Sequence, residues 1–151
     1  MILCAPNGLF SWKYELMGDG IAATTCLKAF GERGSLTVGG ETFTVNKTGM
    51  FHGEWVLERN GTAVATARKE GLMSRSFRIS APSGHCLLRK QNAIGRSMVL
   101  ENGASRVDIT PLHAFTRRAK LTGAYPDPRI IVFAFWLTAL LWRRIASNNS
   151  M

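Results

Sequence analysis

The chain has 151 residues, 46% of them hydrophobic and 19% charged, which is one domain's worth of globular sequence, long enough to bury a core without covalent staples. Three widely spaced cysteines (Cys4, Cys26, Cys86), with no CxxC pair, suggest neither a disulfide framework nor a zinc site, so small buried or half-buried thiols in a reducing compartment are expected. Nineteen Lys/Arg against ten Asp/Glu leave a formal +9, which favours anionic partners: phospholipid surfaces, acidic proteins or nucleic acid.

At the N-terminus no basic segment precedes the apolar residues, and Pro6 interrupts them, so no signal peptide is expected and a cytoplasmic setting is the simplest account. From residue 10 to 122 the sequence reads as short strands between tight turns. Candidate strands are 11–17, 21–30, 34–38, 41–47, 53–59, 62–69, 75–80, 84–90, 96–101, 104–110 and 113–121. Alternation supports them: Trp12, Tyr14 and Leu16 share a face opposite Lys13 and Glu15, Phe43 and Val45 oppose Thr42 and Thr44, and Phe77 and Ile79 oppose Arg78. Asn60-Gly61, Gly39-Gly40, Pro82-Ser83-Gly84 and Asn102-Gly103 are hairpin signals, the first the strongest. A weak internal echo lies at an offset of about 43 residues. It lays Val56-Leu57-Glu58 on Val99-Leu100-Glu101, Val45 on Leu88, Lys47 on Lys90 and Phe51 on Ile94.

Tyr125-Pro126-Asp127-Pro128 then separates the strands from an apolar run over 130–142. Asp127 suits an N-cap and Pro128 the first helical position, predicting a helix over 127–146 with Arg143 and Arg144 in its last turn and a frayed tail over 147–151. Thirteen residues of helix span roughly 20 Å, short of the roughly 30 Å of bilayer hydrocarbon. The run has no polar face; Thr138 is its one hydroxyl and can bond its own backbone. A helix apolar all round must be buried, and a closed antiparallel barrel covers every side of it while removing the sheet edges. The expected fold is therefore a mainly β barrel of about 11–12 strands (10–122) around a central hydrophobic helix, one domain over 1–151, with Ala63, Ala65 and Ala67 giving the helix room to approach.

This order, and above all the segment 126–144, resembles the tubby C-terminal-like superfamily, which includes tubby domains, phospholipid scramblases and LURP-one-related proteins. The chain is similar to a compact bacterial-type member over residues 10–146. The resemblance implies a non-enzymatic binding or scaffold module without a cofactor; tubby domains bind phosphoinositides through basic surface residues. No Asp-x-Asp loop of the kind a calcium site needs occurs here, so calcium-dependent scrambling is not expected.

Residues 1–60, 61–120 and 121–151 carry −1, +8 and +2, so the excess charge concentrates in the second half of the wall. The paired basics there are the candidate anion or lipid contacts: Arg89, Lys90, Arg117, Arg118 and Lys120. On strands only one of each pair faces outward, and a generally basic solvated surface is the plainer account of such residues. His52, His85 and His113 stand alone, and no HExxH, Gly-x-Ser-x-Gly, Walker or GxGxxG motif occurs, so neither catalysis nor a metal is expected. The four tryptophans read as core. The favoured function is a module binding anionic phospholipid or an acidic partner. The alternatives are a tail-anchored protein using 129–144, and a nucleic-acid-binding barrel.

Overall fold

The computed structural model describes residues 1–48, 53–71 and 75–149; Phe51 and His52 lie outside them. Twelve antiparallel strands precede one helix: β1 (Ile2–Pro6), β2 (Lys13–Gly18), β3 (Ile21–Leu27), β4 (Gly34–Val38), β5 (Glu41–Thr48), β6 (Glu54–Arg59), β7 (Thr62–Lys69), β8 (Phe77–Ala81), β9 (Gly84–Lys90), β10 (Met98–Glu101), β11 (Arg106–Pro111), β12 (Ala119–Ala124) and α1 (Pro128–Asn149). Each strand pairs with its sequence neighbours, and β1 pairs with β12 to close the barrel. The eleven strands expected from the sequence are all present. The twelfth, β1, was not anticipated, because only Ile2 and Cys4 of its residues face inward, too few to show a period. The wall therefore begins at Ile2, not at residue 10. Ile2 lies opposite Leu121 and Cys4 opposite both Ala119 and Leu16, so β1 closes a gap that would otherwise expose two edges.

Alternation sorts side chains as the pleat demands. Tyr14, Leu16, Phe43, Val45, Phe77, Ile79, Leu88 and Ile109 point inward and are buried in one cluster with the helix. Every residue of α1 from 130 to 142 is buried. The most apolar stretch of α1 passes a length-and-hydropathy test for a membrane span, but 72% of it is buried inside the protein. Those side chains fill the barrel, and inserting them in lipid would empty it.

Local chemistry fixes both ends of the helix. Asp127 caps it, its carboxylate accepting from the Arg129 amide at 3.0 Å and its carbonyl from the amides of Ile130 and Ile131. Thr138 Oγ1 donates to the Ala134 carbonyl at 2.8 Å, so the one buried hydroxyl of the run is satisfied within its own helix. The helix continues to Asn149, so Arg143 and Arg144 are not in its last turn as expected; both instead reach across to the barrel.

Aromatic contacts seat α1 against the wall. Phe135 meets Tyr14 edge-on with ring centroids 4.9 Å apart, and Trp142 at 6.3 Å. Trp136 Nε1 donates to the Cys26 carbonyl on β3 at 2.9 Å, and Trp142 Nε1 to the Arg96 carbonyl at 3.0 Å. Gly34 makes the first bond possible: a Cβ there would lie 1.9 Å from the Cys26 oxygen and 2.8 Å from the Trp136 indole nitrogen. Ala65 and Ala67 line the core, but a bulge between Leu57 and Glu58 turns Ala63 outward, and α1 comes nearest to β3 and β4 instead of to this strand.

The internal echo is structural. The pair Gly34↔Val45 recurs as Phe77↔Leu88, Val45↔Leu57 as Leu88↔Leu100, and Lys47↔Trp55 as Lys90↔Met98. β4–β5–β6 and β8–β9–β10 thus share one register.

If α1 fills the barrel, Phe135→Ala should lower the unfolding free energy by about 3–5 kcal/mol, a buried-aromatic deletion. Urea midpoints at matched slope measure it; a loss below about 1 kcal/mol would mean that the wall does not pack on this ring.

Candidate cationic mouth of the barrel

Up-and-down connectivity gives the barrel two unlike ends. At one, most neighbouring strands are joined by tight hairpins. Asp19-Gly20, Gly39-Gly40 and Asn60-Gly61 each have two successive positive φ values (52° and 76°, 59° and 79°, 53° and 79°), as type I′ turns require. At the other end lie the connections 7–12, 28–33, 91–97 and 112–118, those that join β5 to β6 and β7 to β8, and the C-terminal half of α1. This loop end is the mouth.

Charge follows the same division. The six long connections, two strand residues on either side of each, and Arg143 and Arg144 hold 16 of the 19 Lys/Arg but only three of the ten Asp/Glu, a formal +13. The remainder holds three Arg (Arg59, Arg106, Arg129) against seven Asp/Glu, a formal −4. The asymmetry therefore runs along the barrel axis, with cations from both halves of the sequence meeting at one mouth.

Of the candidate residues from the sequence, all five lie at this end, on β9, β12 and the connection before β12. Two are already engaged. Arg89 Nε binds Glu101 at 2.7 Å on the outer wall. Arg117 gives its guanidinium to the carbonyls of Gly8, Leu9 and Ser11 and lies over the Trp12 ring at 5.4 Å. Lys90, Arg118 and Lys120 have no carboxylate partner among the described residues; Lys90 Nζ reaches only the Ala93 carbonyl, at 3.2 Å. Arg75 and Arg96, missed as site residues, join Lys90 at the rim. Lys28 and Arg33 belong to the same end but lie in the sequence half that carries −1 overall. Summing charge over alternate connections, which an up-and-down barrel places at one end, would have found them.

Two related places on this rim have opposite fillings. At the first, Glu32 accepts from Lys47 Nζ at 2.7 Å and Arg144 Nη2 at 2.6 Å. Lys47 and Arg144 also stand over the Trp55 ring, at 5.5 and 5.7 Å, and the edge of that ring takes the space that Gly53 leaves open. Burial raises the Glu32 carboxyl pKa, but the hydrogen bonds and charges of Arg144 and Lys47 outweigh it and hold it below the ordinary value. At the second place, 43 residues on, Lys90 stands for Lys47 and Arg75 for Glu32. The clasp is absent, and Arg75, Ser76, Arg89, Lys90 and Ala93 line an open cleft of about 450 Å3. Such a cleft can accept a phosphate or carboxylate by charge-assisted hydrogen bonds.

No group of three or more His, Cys, Asp or Glu is arranged to hold a metal among the described residues. His85 Nδ1 shares a hydrogen with Ser80 Oγ at 2.9 Å in the open, and His113 lies exposed in the 112–118 connection. Burial raises the pKa of Cys4 and of Cys86, so neither is poised as a thiolate. Neither a family model, nor a curated protein, nor a solved structure matches this chain.

Because the Glu32 pKa is lower in the folded chain, its clasp stabilises the fold above the unfolded pKa, and that contribution is lost as pH falls through the folded value. Glu32→Gln should lower the urea midpoint at pH 7 and flatten its dependence in the acidic range. An unchanged acid dependence in the variant would show that the clasp does not carry this linkage.

Proposed function

We propose that the chain is a non-enzymatic, tubby-like binding module that docks its mouth on anionic phospholipid surfaces. The observation that carries this reading is the axial separation of charge, +13 at the mouth against −4 elsewhere. A surface bearing phosphatidylserine or phosphoinositide attracts basic groups by about 1 kcal/mol for each Lys or Arg brought close, over about one Debye length. The hairpin end is repelled by the same field, so the charge orients the molecule as well as attracting it. Lys90 and Arg75, with no acid between them, supply a place where one headgroup phosphate would be held. Arg118 and Lys120 extend the attraction along the rim.

Vesicle flotation tests the proposal. Phosphatidylserine-containing vesicles should carry the protein, phosphatidylcholine vesicles should not, and binding should weaken as salt is raised. Each charge reversal, Lys90→Glu or Arg118→Glu, should weaken binding about fivefold or more, from the per-charge energy above. Arg59→Glu at the hairpin end serves as the control and should have little effect. Equal recovery on neutral and anionic vesicles would defeat the proposal.

A further inference from the structure

Nine large apolar side chains are exposed among the described residues, and six of them cluster by position: Leu9, Phe10, Phe30, Ile94, Leu112 and Phe115 all belong to connections at the mouth. Five of these are nearly bare, from 86% for Leu9 to 97% for Phe115. Their four connections are neighbours around the barrel, in the order 28–33, 7–12, 112–118, 91–97. Single exposed apolar residues are ordinary, but a ring of them at the most cationic end of the molecule calls for a partner.

The way the aromatic tips are held says more. Each of the three phenylalanines lies on a connection whose backbone is gripped from within by one arginine. Arg117 holds the carbonyls of Gly8, Leu9 and Ser11, which flank Phe10. Arg96 donates to the carbonyls of His113, Ala114 and Thr116 at 3.3, 3.0 and 2.8 Å, which flank Phe115. Arg143 donates to the Lys28 carbonyl at 2.6 Å and to that of Gly31, on either side of Phe30. The braces have two effects. They keep the phenylalanines projecting instead of folding back over the core, and they satisfy carbonyls that would otherwise need water if the loops left it.

We infer that the mouth is an insertion crown: Phe10, Phe30, Phe115, Ile94 and Leu9 enter the headgroup–acyl boundary of an anionic bilayer, with the barrel axis standing on the membrane. The inference rests on the lipid-docking function proposed above and adds an apolar anchor and an orientation to it. A bilayer suits the crown better than a second copy would, since two mouths face to face would oppose +13 with +13. It also accommodates separate tips on four loops, with Arg33 and Arg118 beside them at headgroup level.

Tryptophan reporters at the tips test this on the full chain. Phe115→Trp and Phe30→Trp should be quenched by lipids brominated near the top of the acyl chain, well beyond Ser83→Trp, a reporter on a hairpin at the far end. The triple variant Phe10→Ser/Phe30→Ser/Phe115→Ser, altered only at exposed sites, should bind anionic vesicles about tenfold more weakly per tip removed, while keeping its preference for anionic over neutral lipid. Normal adsorption to anionic vesicles with no quenching above the Ser83→Trp control would overturn the insertion and leave the electrostatic docking standing. Absence of adsorption by the wild-type chain would overturn both. Self-association that the triple variant abolishes would give the crown to a second copy instead.

Discussion

One constraint organises the molecule: a helix that is apolar on every side has to be covered on every side. Residues 130–142 of α1 leave no stripe for solvent, so no open sheet could bury them, and the wall must close. Closure recruits the first residues of the chain, because β12 and β2 both need a partner and β1 supplies it. It also dictates which side chains are large. Trp55, Phe43, Phe77, Tyr14 and Leu57 fill the space around α1, and Gly34 on β4 is bare because the Cys26 carbonyl and the Trp136 indole occupy the place of a side chain.

The same closure creates the asymmetry between the two ends. An up-and-down barrel gathers alternate connections at one end, so a chain whose connections alternate between tight hairpins and longer loops acquires one plain end and one elaborate end. The helix enters at the hairpin end, where Asp127 caps it, and its C-terminal half leaves through the loops. Arg143 and Arg144 are carried to the mouth by the helix that fills the barrel, where they bind Gly31, Lys28 and Glu32. Core and mouth are thus coupled. The mouth has its basic and apolar character because every long connection ends there, and it keeps its shape because arginines, one of them on the helix itself, pin those connections.

What was legible in the sequence follows from the range of the signals. Period-two alternation, Asn-Gly and Gly-Gly turns and the unbroken apolar run are local, and they specified eleven strands, a capped helix and the need for closure. β1 was hidden because two inward residues make no period. Phe30 and Phe115 read as strand residues next to other apolar positions. In the structure β3 stops at Leu27 and β12 starts only at Ala119, leaving both rings on loops. Which of the candidate cations keep their donors was hidden for a different reason. Arg117 and Arg89 look alike in sequence to Arg118 and Lys90, but only three-dimensional neighbours decide which guanidinium is spent on carbonyls or on Glu101 and which retains its donors.

The echo of 43 residues shows how one framework can present the same cation in two different settings without changing its fold. Registers in β4–β5–β6 and β8–β9–β10 match pair for pair, so Lys47 and Lys90 are delivered to equivalent points on the rim. What differs is the residue facing each. Glu32 closes the first point, pairing with both Lys47 and Arg144 and so tying the helix to the rim. Arg75 at the second point adds a like charge to the lining that Lys90 shares, so no carboxylate closes that cleft as Glu32 closes the first. One copy of the arrangement serves the fold by neutralising its own charge, and that frees the other to leave its charge unsatisfied.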